Sequence, residues 1–360
     1  MPDGRRLATL LIAVALGGVA ASCGGGGAHG TTPFRRSSAA TGVPMMRSTS
    51  SPSLPNPFTI VARFSATSLG LKGPNDLAIG PDGNVYVTDF ASQSVSVISP
   101  AGKVLRRWGA KGKGPGRFSF HLDGYGNPHA SIAVGPDGKV YVSDSGNCRV
   151  EIFSPTGAFL RQFGRCGYDT NYQFVEVADL ALDAHNHLYV LDAFRNTISK
   201  FSPTGTFLWG TAGSASNDVD FGGLEPDSLH FVTVDAHGRL VVAARRILYL
   251  DAQGHKIDSF DVSGLFRNDW GPCDVTANSE GYTVVQSCPD AGQPVAGVPD
   301  YQATLLFDRT HRLVGAWYGS PFFDFVTVRF GPHGEAFAFG ASAHSVIGWI
   351  LQVKVGVPGA

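Results

Sequence analysis

Charged residues are scarce in this sequence of 360 residues. Only 16% of the residues are charged, and the formal net charge is −1. This balance lacks the basic excess that binding to nucleic-acid phosphates requires, so we expect no nucleic-acid partner. The shortage of charged helix formers argues against a helical bundle, and the absence of a Gly-x-y period excludes collagen.

Catalytic signatures are also lacking. The sequence contains no Gly-x-Ser-x-Gly, no His-Glu-x-x-His and no phosphate loop of the Gly-Lys-Thr type. A site built from separated loops would carry no such motif, so an enzyme stays open as an alternative. The missing catalytic constellation favours a protein that binds a ligand without catalysis.

Glycine and aromatic residues are abundant instead. The chain carries 46 Gly and 22 Pro, and 11% of its residues are aromatic. This composition predicts many short strands joined by tight turns. The length suits one large domain or two average ones.

The N-terminus has the pattern of an export signal. Arg5 and Arg6 precede the apolar stretch Leu7–Gly18, and small residues then lead to Cys23. That stretch is too short to span a bilayer, which is typical of a secretory signal. The segment resembles a bacterial lipoprotein signal. This resemblance implies a signal peptide over residues 1–22, lipidation of Cys23 and a membrane-anchored protein outside the cytoplasm. Ordinary cleavage nearby, giving a secreted or periplasmic protein, is the alternative.

Residues 23–57 are interpreted as a flexible stalk. They are rich in Gly, Ser, Thr, Ala and Pro. Such a segment cannot bury enough apolar surface to offset the entropy lost on ordering. Residues 58–360 are therefore predicted to form the folded domain.

Six copies of one hairpin fill the predicted domain. The copies begin at Leu77 (LAIGPDGNVYVTD), Ile132 (IAVGPDGKVYVSD), Leu180 (LALDAHNHLYVLD), Val232, Val275 and Val328. Each predicts a strand, a tight turn and a second strand, and a Ser-Pro-x-Gly hairpin follows in most copies. Four strands at a period of about fifty residues describe one β-propeller blade. We therefore predict an all-β, six-bladed β-propeller of four-stranded antiparallel blades.

The sixth copy lacks a fourth strand. Pro57–Phe64 precedes the first blade as such a strand would, so the N-terminal strand is predicted to close the ring. The segments Gly109–Phe118 and Pro128–Gly164 resemble the NHL-repeat family of six-bladed propellers. The resemblance is strong in blades one to three and weak in blades four to six. It implies a scaffold and says little about activity.

Five cysteines divide into one anchor and two pairs. Cys148 and Cys166 flank the second hairpin of blade two, and Cys273 and Cys288 flank the first hairpin of blade five. Opposed positions on antiparallel strands fall within disulfide reach, and export supplies an oxidising compartment. We therefore predict both disulfides, with buried free thiols or a metal site as the alternatives. All four residues are placed on the top face, which carries the loops from strand four to strand one and from strand two to strand three.

Three aspartates precede the first strands of alternate blades: Asp76, Asp179 and Asp274. Threefold spacing would aim their carboxylates at one axis, and such oxygen ligands suit Ca²⁺ in the central channel. The alternative is that each aspartate caps its own loop.

The histidines give weaker evidence for a metal site than the three aspartates do. His129, in a Pro-His pair before blade two, is similar to one of three zinc-binding histidines of peptidylglycine-amidating lyases, which are similar propellers. The aligned positions of the other blades are Pro74, Val177, Leu229, Pro272 and Phe325, so that zinc site is not reproduced. His185 and His187 lie in a turn on the opposite face, where one exposed pair makes a weak metal site.

The predicted top-face loops are rich in aromatic residues and arginines, which peptide- and glycan-binding surfaces use. The selected residues are Arg149, Tyr168, Arg195, Arg245, Phe266, Trp270 and Tyr301. The alternative for several aromatic residues is that they fill gaps between blades. The sequence thus favours a monomeric binding or sensor module for a protein, a peptide or a cell-envelope glycan. A metal-dependent lyase or lactonase and a structural envelope component are the alternatives.

Overall fold

The computed structural model describes residues 54–122, 128–211, 231–244, 246–262, 265, 272–287, 303–318, 324–341 and 348–356. These residues form six four-stranded antiparallel sheets arranged as a propeller, which confirms the predicted fold. All six sheets belong to one compact unit, Pro52–Ala360. Within the described ranges, no helix has the length and apolar character needed to cross a membrane.

Each blade is a meander whose first strand lies nearest the central channel. Blade 1 consists of Pro74–Ile79, Val85–Asp89, Ser94–Ile98 and Val104–Trp108. Blade 2 consists of Ile132–Val134, Val140–Asp144, Arg149–Phe153 and Phe159–Phe163. Blade 3 consists of Val177–Leu182, Leu188–Asp192, Thr197–Phe201 and Phe207–Gly210.

The remaining blades repeat this order. Blade 4 consists of Phe231–Val234, Leu240–Ala243, Arg246–Leu250 and Lys256–Asp261. Blade 5 consists of Pro272–Ala277, Thr283–Ser287, Ala303–Phe307 and Leu313–Tyr318. Blade 6 consists of Asp324–Phe330, Ala336–Ala341, Trp349–Val355 and the N-terminal strand Phe58–Ser65. Two short pairs, His121–Leu122 with Pro128–His129 and Arg165–Cys166 with Gln173–Phe174, and a 3-10 turn, Ser145–Asn147, complete the described regular structure.

The N-terminal strand closes the ring, as predicted. It pairs antiparallel with the third strand of blade 6, with Phe58 opposite Val355 and Ser65 opposite Trp349. Phe58 is buried in the cluster between blades 5 and 6, and Phe64 packs toward blade 1, against Gly102. The strand therefore completes one blade and also contacts the next.

The hydrophobic core consists of clusters that lie between neighbouring blades. Tyr86, Tyr141 and Tyr189 occupy the same position of the repeat, and each packs against the following blade while less than 2% exposed. Burying these side chains requires the following blade, so each of these blades depends on the ring to cover its apolar surface.

Buried aspartates at the ends of second strands fix the loops that enter the blades. Asp89 accepts hydrogen bonds from the Lys72 and Gly73 amides, at 2.6 and 3.1 Å. Asp192 accepts them from the Val175 and Glu176 amides, at 2.8 and 3.2 Å. In these blades the Asp therefore fixes the loop that leads into the first strand, which positions the residues at the channel mouth.

Outer strands also contact the turn of the next blade. The indole nitrogen of Trp209 donates to the Ala252 carbonyl at 2.8 Å, and Arg161 donates to the carbonyls of Pro203 and Thr204. The Trp108 ring lies against Gly157, where an added Cβ would come within 2.6 Å of the ring. The turn glycines thus serve both backbone geometry and contacts between blades.

Gly157→Ala should destabilise the protein more than Gly238→Ala. Both glycines have a left-handed φ, +86° and +76°, so both substitutions incur backbone strain of about 1–2 kcal/mol. Of the two, only Gly157 has a side chain that an added Cβ would collide with, the Trp108 ring, because nothing lies within 4 Å of a Cβ at Gly238. Displacing Trp108 should add roughly 1–3 kcal/mol, measured as the difference between the two variants in urea unfolding. Equal losses would show that the contact of Trp108 with this turn does not stabilise the ring.

Candidate functional site

The three aspartates predicted at the channel converge there. Asp76, Asp179 and Asp274 are 7%, 2% and 3% exposed. Asp76 and Asp179 line a channel cavity of about 170 Å³ together with Arg329 of blade 6. Alternate blades therefore bring these carboxylates to one part of the channel.

Arg329 lies among these carboxylates. Its Nη1 donates to Asp274 Oδ2 at 2.5 Å, and its Nη2 donates to Asp76 Oδ1 at 3.2 Å. The Thr327 hydroxyl also donates to Asp274. The guanidinium thus supplies the positive charge that a metal ion would bring to this position.

Each aspartate also connects two blades. Asp76 Oδ2 accepts from the Ile132 amide at 3.1 Å, and Asp179 Oδ2 accepts from the Val232 amide at 2.8 Å. Ser131 Oγ lies between the two carboxylates, 3.0 Å from Asp76 Oδ2 and 2.6 Å from Asp179 Oδ1. The aspartates therefore fix the first strand of the next blade, a role wider than the capping of their own loops.

Burial dominates the electrostatics of this cluster. It raises the pKa of Asp179 to about 7, helped by the Asp76 charge and opposed by Arg329. Burial also raises the pKa of Asp274, and Arg329 opposes that rise. For Arg329, burial acts to lower the pKa, but Asp274 and Asp76 outweigh it, so the pKa of Arg329 is raised. The guanidinium is therefore a fixed cation, while Asp179 can exchange a proton near neutral pH.

A resident Ca²⁺ does not fit this arrangement. Ca²⁺ takes six to eight oxygen ligands, and here the oxygens of Asp76 and Asp274 already accept from Arg329 and from neighbouring blades. A calcium ion would have to displace the Arg329 guanidinium from these carboxylates. We therefore derive no metal chemistry from the channel.

His129 lies at the start of blade 2 and pairs with Glu176. Its Nδ1 is 3.0 Å from Glu176 Oε1, and both side chains are less than a fifth exposed. The histidine thus has a carboxylate neighbour from blade 3.

Arg149, predicted to bind ligand, lies inside blade 2 and is 5% exposed. Its Nε donates to Asp144 at 2.7 Å, and its Nη2 lies 2.9 Å from Glu151 Oε1. The other donors reach the Gln162 side chain and the carbonyls of Lys113, Gly114 and Arg117. All five N–H groups are thereby used, so the structure assigns Arg149 to holding the glycine-rich loop and leaves no donor for a ligand.

Tyr168 lies exposed on the top face, beside a residue that sequence reasoning missed. Tyr168 is 62% exposed, and Phe194, in the loop between strands two and three of blade 3, is 64% exposed. Their ring centroids are 6.3 Å apart at an interplanar angle of 64°. We call Tyr168 and Phe194 the aromatic pair. Two large rings exposed side by side make an unusual surface for a residue class that is normally buried.

The loop that carries Tyr168 is held at several points. Phe174 is buried, and Arg195, another predicted ligand residue, donates to the Gln173 carbonyl at 2.6 Å. Arg165–Cys166 pairs with Gln173–Phe174 as a short parallel ladder. Arg195 therefore supports the loop beneath the aromatic pair. The predicted residues Arg245, Phe266, Trp270 and Tyr301 lie outside the described residues.

The NHL repeat profile matches residues 71–98 and 130–153. These segments hold the first three strands of blades 1 and 2, and the structure repeats their arrangement six times. The chain is an NHL-repeat β-propeller. The family resemblance of the sequence is thereby confirmed.

Curated relatives match only part of this NHL propeller. It is 34% identical over 105 residues to peptidyl-glycine alpha-amidating monooxygenase of Mus musculus, which covers 27% of this chain and 10% of the mouse protein. It is 29% identical over 111 residues to peptidyl-glycine alpha-amidating monooxygenase B of Xenopus laevis, which covers 28% and 12%. The match therefore spans about a tenth of the length of these relatives.

Solved structures share the whole ring. A streptogramin B lyase structure aligns with a TM-score of 0.52 and 11% identity, covering 83% of this chain and 98% of that one. Virginiamycin B lyase from Staphylococcus aureus aligns with a TM-score of 0.52 and 12% identity, covering 82% and 99%. At such identities the likeness establishes the fold alone.

One predicted disulfide of the NHL propeller is confirmed. Cys148 and Cys166 are bonded, with their Cα atoms 4.9 Å apart. Cys273 is also disulfide-bonded, and Cys288, its predicted partner, lies outside the described residues. Cys23, the predicted signal and residues 23–53 of the predicted stalk lie outside them as well, whereas residues 54–57 are described.

Replacing Cys148 and Cys166 together with serine should lower the free energy of unfolding by about 3 kcal/mol, because the bond no longer restrains the unfolded chain. Urea unfolding under oxidising conditions measures this loss. Wild type treated with reductant serves as the control and should lose stability in the same direction. A double variant as stable as the oxidised wild type would contradict a stabilising role for this bond.

Proposed function

We propose that this NHL propeller is a binding or sensor module that recognises a protein, a peptide or a cell-envelope glycan through its top face. We further propose that it acts as a monomer outside the cytoplasm, tethered to the membrane through a lipid on Cys23. The single observation that carries the binding role is the aromatic pair, two neighbouring rings each more than 60% exposed on the top face.

The aromatic pair suits recognition for two physical reasons. Exposed aromatic rings supply a large contact area at low entropic cost, which is why such side chains dominate binding surfaces. Tyr168 also belongs to a loop already held by the Cys148–Cys166 bond and by Arg195. A surface ordered before binding loses less entropy when a ligand arrives.

A lyase is the second candidate, and one observation favours it. Asp179, with a pKa raised to about 7, is placed to act as a base near neutral pH, and perturbed carboxyls cluster at catalytic sites. Against this role, Asp179 already accepts hydrogen bonds from the Leu180 and Val232 amides. That pattern supports a structural role, so the binding module is preferred.

A thermal-unfolding screen separates the two candidates. The purified protein is heated with peptides, with cell-wall glycan fragments, and with divalent metals in the presence and absence of EDTA. A ligand that binds only the folded ring raises its midpoint. The proposal expects a midpoint rise with a peptide or glycan that EDTA does not remove. No midpoint shift with any peptide or glycan would contradict the binding module and favour the lyase.

A further inference from the structure

A turn on the bottom face, opposite the top face, gathers two imidazoles and a carboxylate. It joins the first two strands of blade 3 and contains Asp183, His185 and His187. One ligand atom from each residue lies within 4.8 Å of the other two. Asp183 is buried, His187 is half-buried and His185 is exposed.

The backbone of the turn sets this geometry. Asp183 Oδ1 accepts hydrogen bonds from the amides of His185 and His187, each at 2.9 Å. Asn186 between them has a left-handed φ of +60°, which tightens the turn. Asp183 Oδ2 lies 2.9 Å from His187 Nδ1. The carboxylate is thus held in one orientation, with Oδ2 facing the imidazole of His187.

Three other bottom-face turns repeat the same hydrogen bonds and lack the full ligand set. In each, an aspartate accepts from the amides two and four residues later: Asp235 with Arg239, Asp251 with His255, and Asp308 with Arg312. The residues two positions after these aspartates are His237, Gln253 and Thr310. Among these four turns, the turn at Asp183 alone has histidine at both positions.

We propose that Asp183, His185 and His187 bind a divalent metal of the Zn²⁺, Cu²⁺ or Ni²⁺ class. Two imidazole nitrogens and a carboxylate oxygen suit these ions, whereas Ca²⁺ and Mg²⁺ prefer sites built from oxygen. A tetrahedral ion with bonds of about 2.1 Å places its ligand atoms roughly 3.4 Å apart, so the site must contract. The exposed His185 ring can make that movement by rotating its side chain.

Lys200 opposes the ion. Its Nζ lies 3.5 Å from Asp183 Oδ2, and its side chain is 6% exposed. A positive charge at this distance weakens the binding of a cation. The site is therefore expected to bind the metal ion with moderate affinity. The charge of Lys200 is one reason why the affinity is not higher.

Titration calorimetry of the untagged, EDTA-stripped protein with Zn²⁺ and then Ni²⁺ tests this site. One ion per chain is expected to bind, and Ca²⁺ at the same concentration is expected not to. His185→Ala should weaken binding by about tenfold or more, because it removes a ligand. His255→Ala is the matched control, since its turn carries one histidine, and it should bind as wild type does.

Two outcomes would overturn the metal site: absence of Zn²⁺ and Ni²⁺ binding by wild type, or equal loss of binding in His185→Ala and His255→Ala. Lys200→Met adds a readout that a purely structural role for the histidines would not move. The proposal expects this variant to bind Zn²⁺ more tightly than wild type. Unchanged or weaker binding by a folded Lys200→Met protein would contradict the placement of the ion at Asp183.

Discussion

Arg329→Met is expected to lower the free energy of unfolding by about 3–5 kcal/mol at neutral pH, because it leaves buried carboxylates without their cation. Arg329 contacts Asp76 and Asp274 at 3.2 and 2.5 Å, and both aspartates are less than 10% exposed. Methionine retains most of the apolar stem, so lost packing contributes little. Urea unfolding of the variant and the wild type measures the loss.

Arg312→Met is the matched control for this substitution. Arg312 also pairs with an aspartate, Asp308, at 3.2 Å, but its side chain is 78% exposed. Exposed pairs contribute about 1 kcal/mol or less, so the control should unfold nearly as wild type does. Equal losses in the two variants would contradict the claim that Arg329 neutralises the channel.

The effect of Arg329→Met should also grow with pH. Burial raises the pKa of Asp179 in the folded protein from its ordinary value of 3.8 to about 7. Between those values the folded state keeps a proton that the unfolded state releases, so this group lowers stability as pH rises. Burial also raises the pKa of Glu151 to about 7, so this group adds to the same dependence of stability on pH.

Removing Arg329 takes away the charge that holds the pKa of Asp179 down. The pKa should then rise further, and the loss of stability should continue above pH 7. The difference between Arg329→Met and Arg312→Met should therefore be larger at pH 8 than at pH 5. A difference independent of pH would show that the channel carboxylates do not titrate as described.

A chain that begins at Ala66 should fail to form a cooperatively unfolding ring. It lacks Phe58–Ser65, which pairs with Trp349–Val355 and closes blade 6. The deletion exposes a strand edge and uncovers the clusters that Phe58 and Phe64 help to fill. Circular dichroism during heating should show a broad transition or a much lower midpoint than the chain that begins at Leu54.

Two substitutions sharpen the test of ring closure. Phe58→Ala should cost about 3–5 kcal/mol, because this side chain is 3% exposed and the small residue leaves a cavity. Val61→Ala, in the same strand, should change little because Val61 is 61% exposed. A chain from Ala66 that melts as sharply and at the same temperature as the longer chain would contradict ring closure by this strand.

Repetition made the fold predictable. Turn glycines, alternating strands and the aspartates that end second strands recur, so the six copies can be aligned and the unpaired strand located. The same alignment places Asp76, Asp179 and Asp274 at one axis from the sequence alone. Repeats thus reveal positions that symmetry brings together.

Residues that differ from the aligned residues of the other copies are harder to interpret from the sequence alone. Arg329 aligns with Ala78, Ala133 and Ala181, and its size and charge at a position otherwise held by small residues mark it as exceptional. Phe194 aligns in the same way with Ala91 and Gly146. Both deviations are visible in the sequence, and both residues belong to the candidate sites.

The direction of the Arg149 side chain could not be predicted from the sequence. Arg149 begins the third strand of blade 2 at the top face, where an arginine could point to solvent. Its direction is set by Asp144 and Glu151, which are fully buried, and by carbonyls of a loop more than thirty residues earlier in the chain. Such contacts depend on the fold of a glycine-rich loop that has no repeat to align.

Ligand-induced shifts in the unfolding midpoint of wild type and of Tyr168→Ala/Phe194→Ala test the central claim most directly. The ligand is the peptide or glycan that gives the largest shift in the screen. Leu160→Ala/Leu208→Ala is the control, because these side chains are 48% and 47% exposed on the outer strands of the same two blades. We predict that the aromatic double variant loses the shift and that the leucine control keeps it. A shift that survives in the aromatic variant would contradict recognition through the top face at this pair.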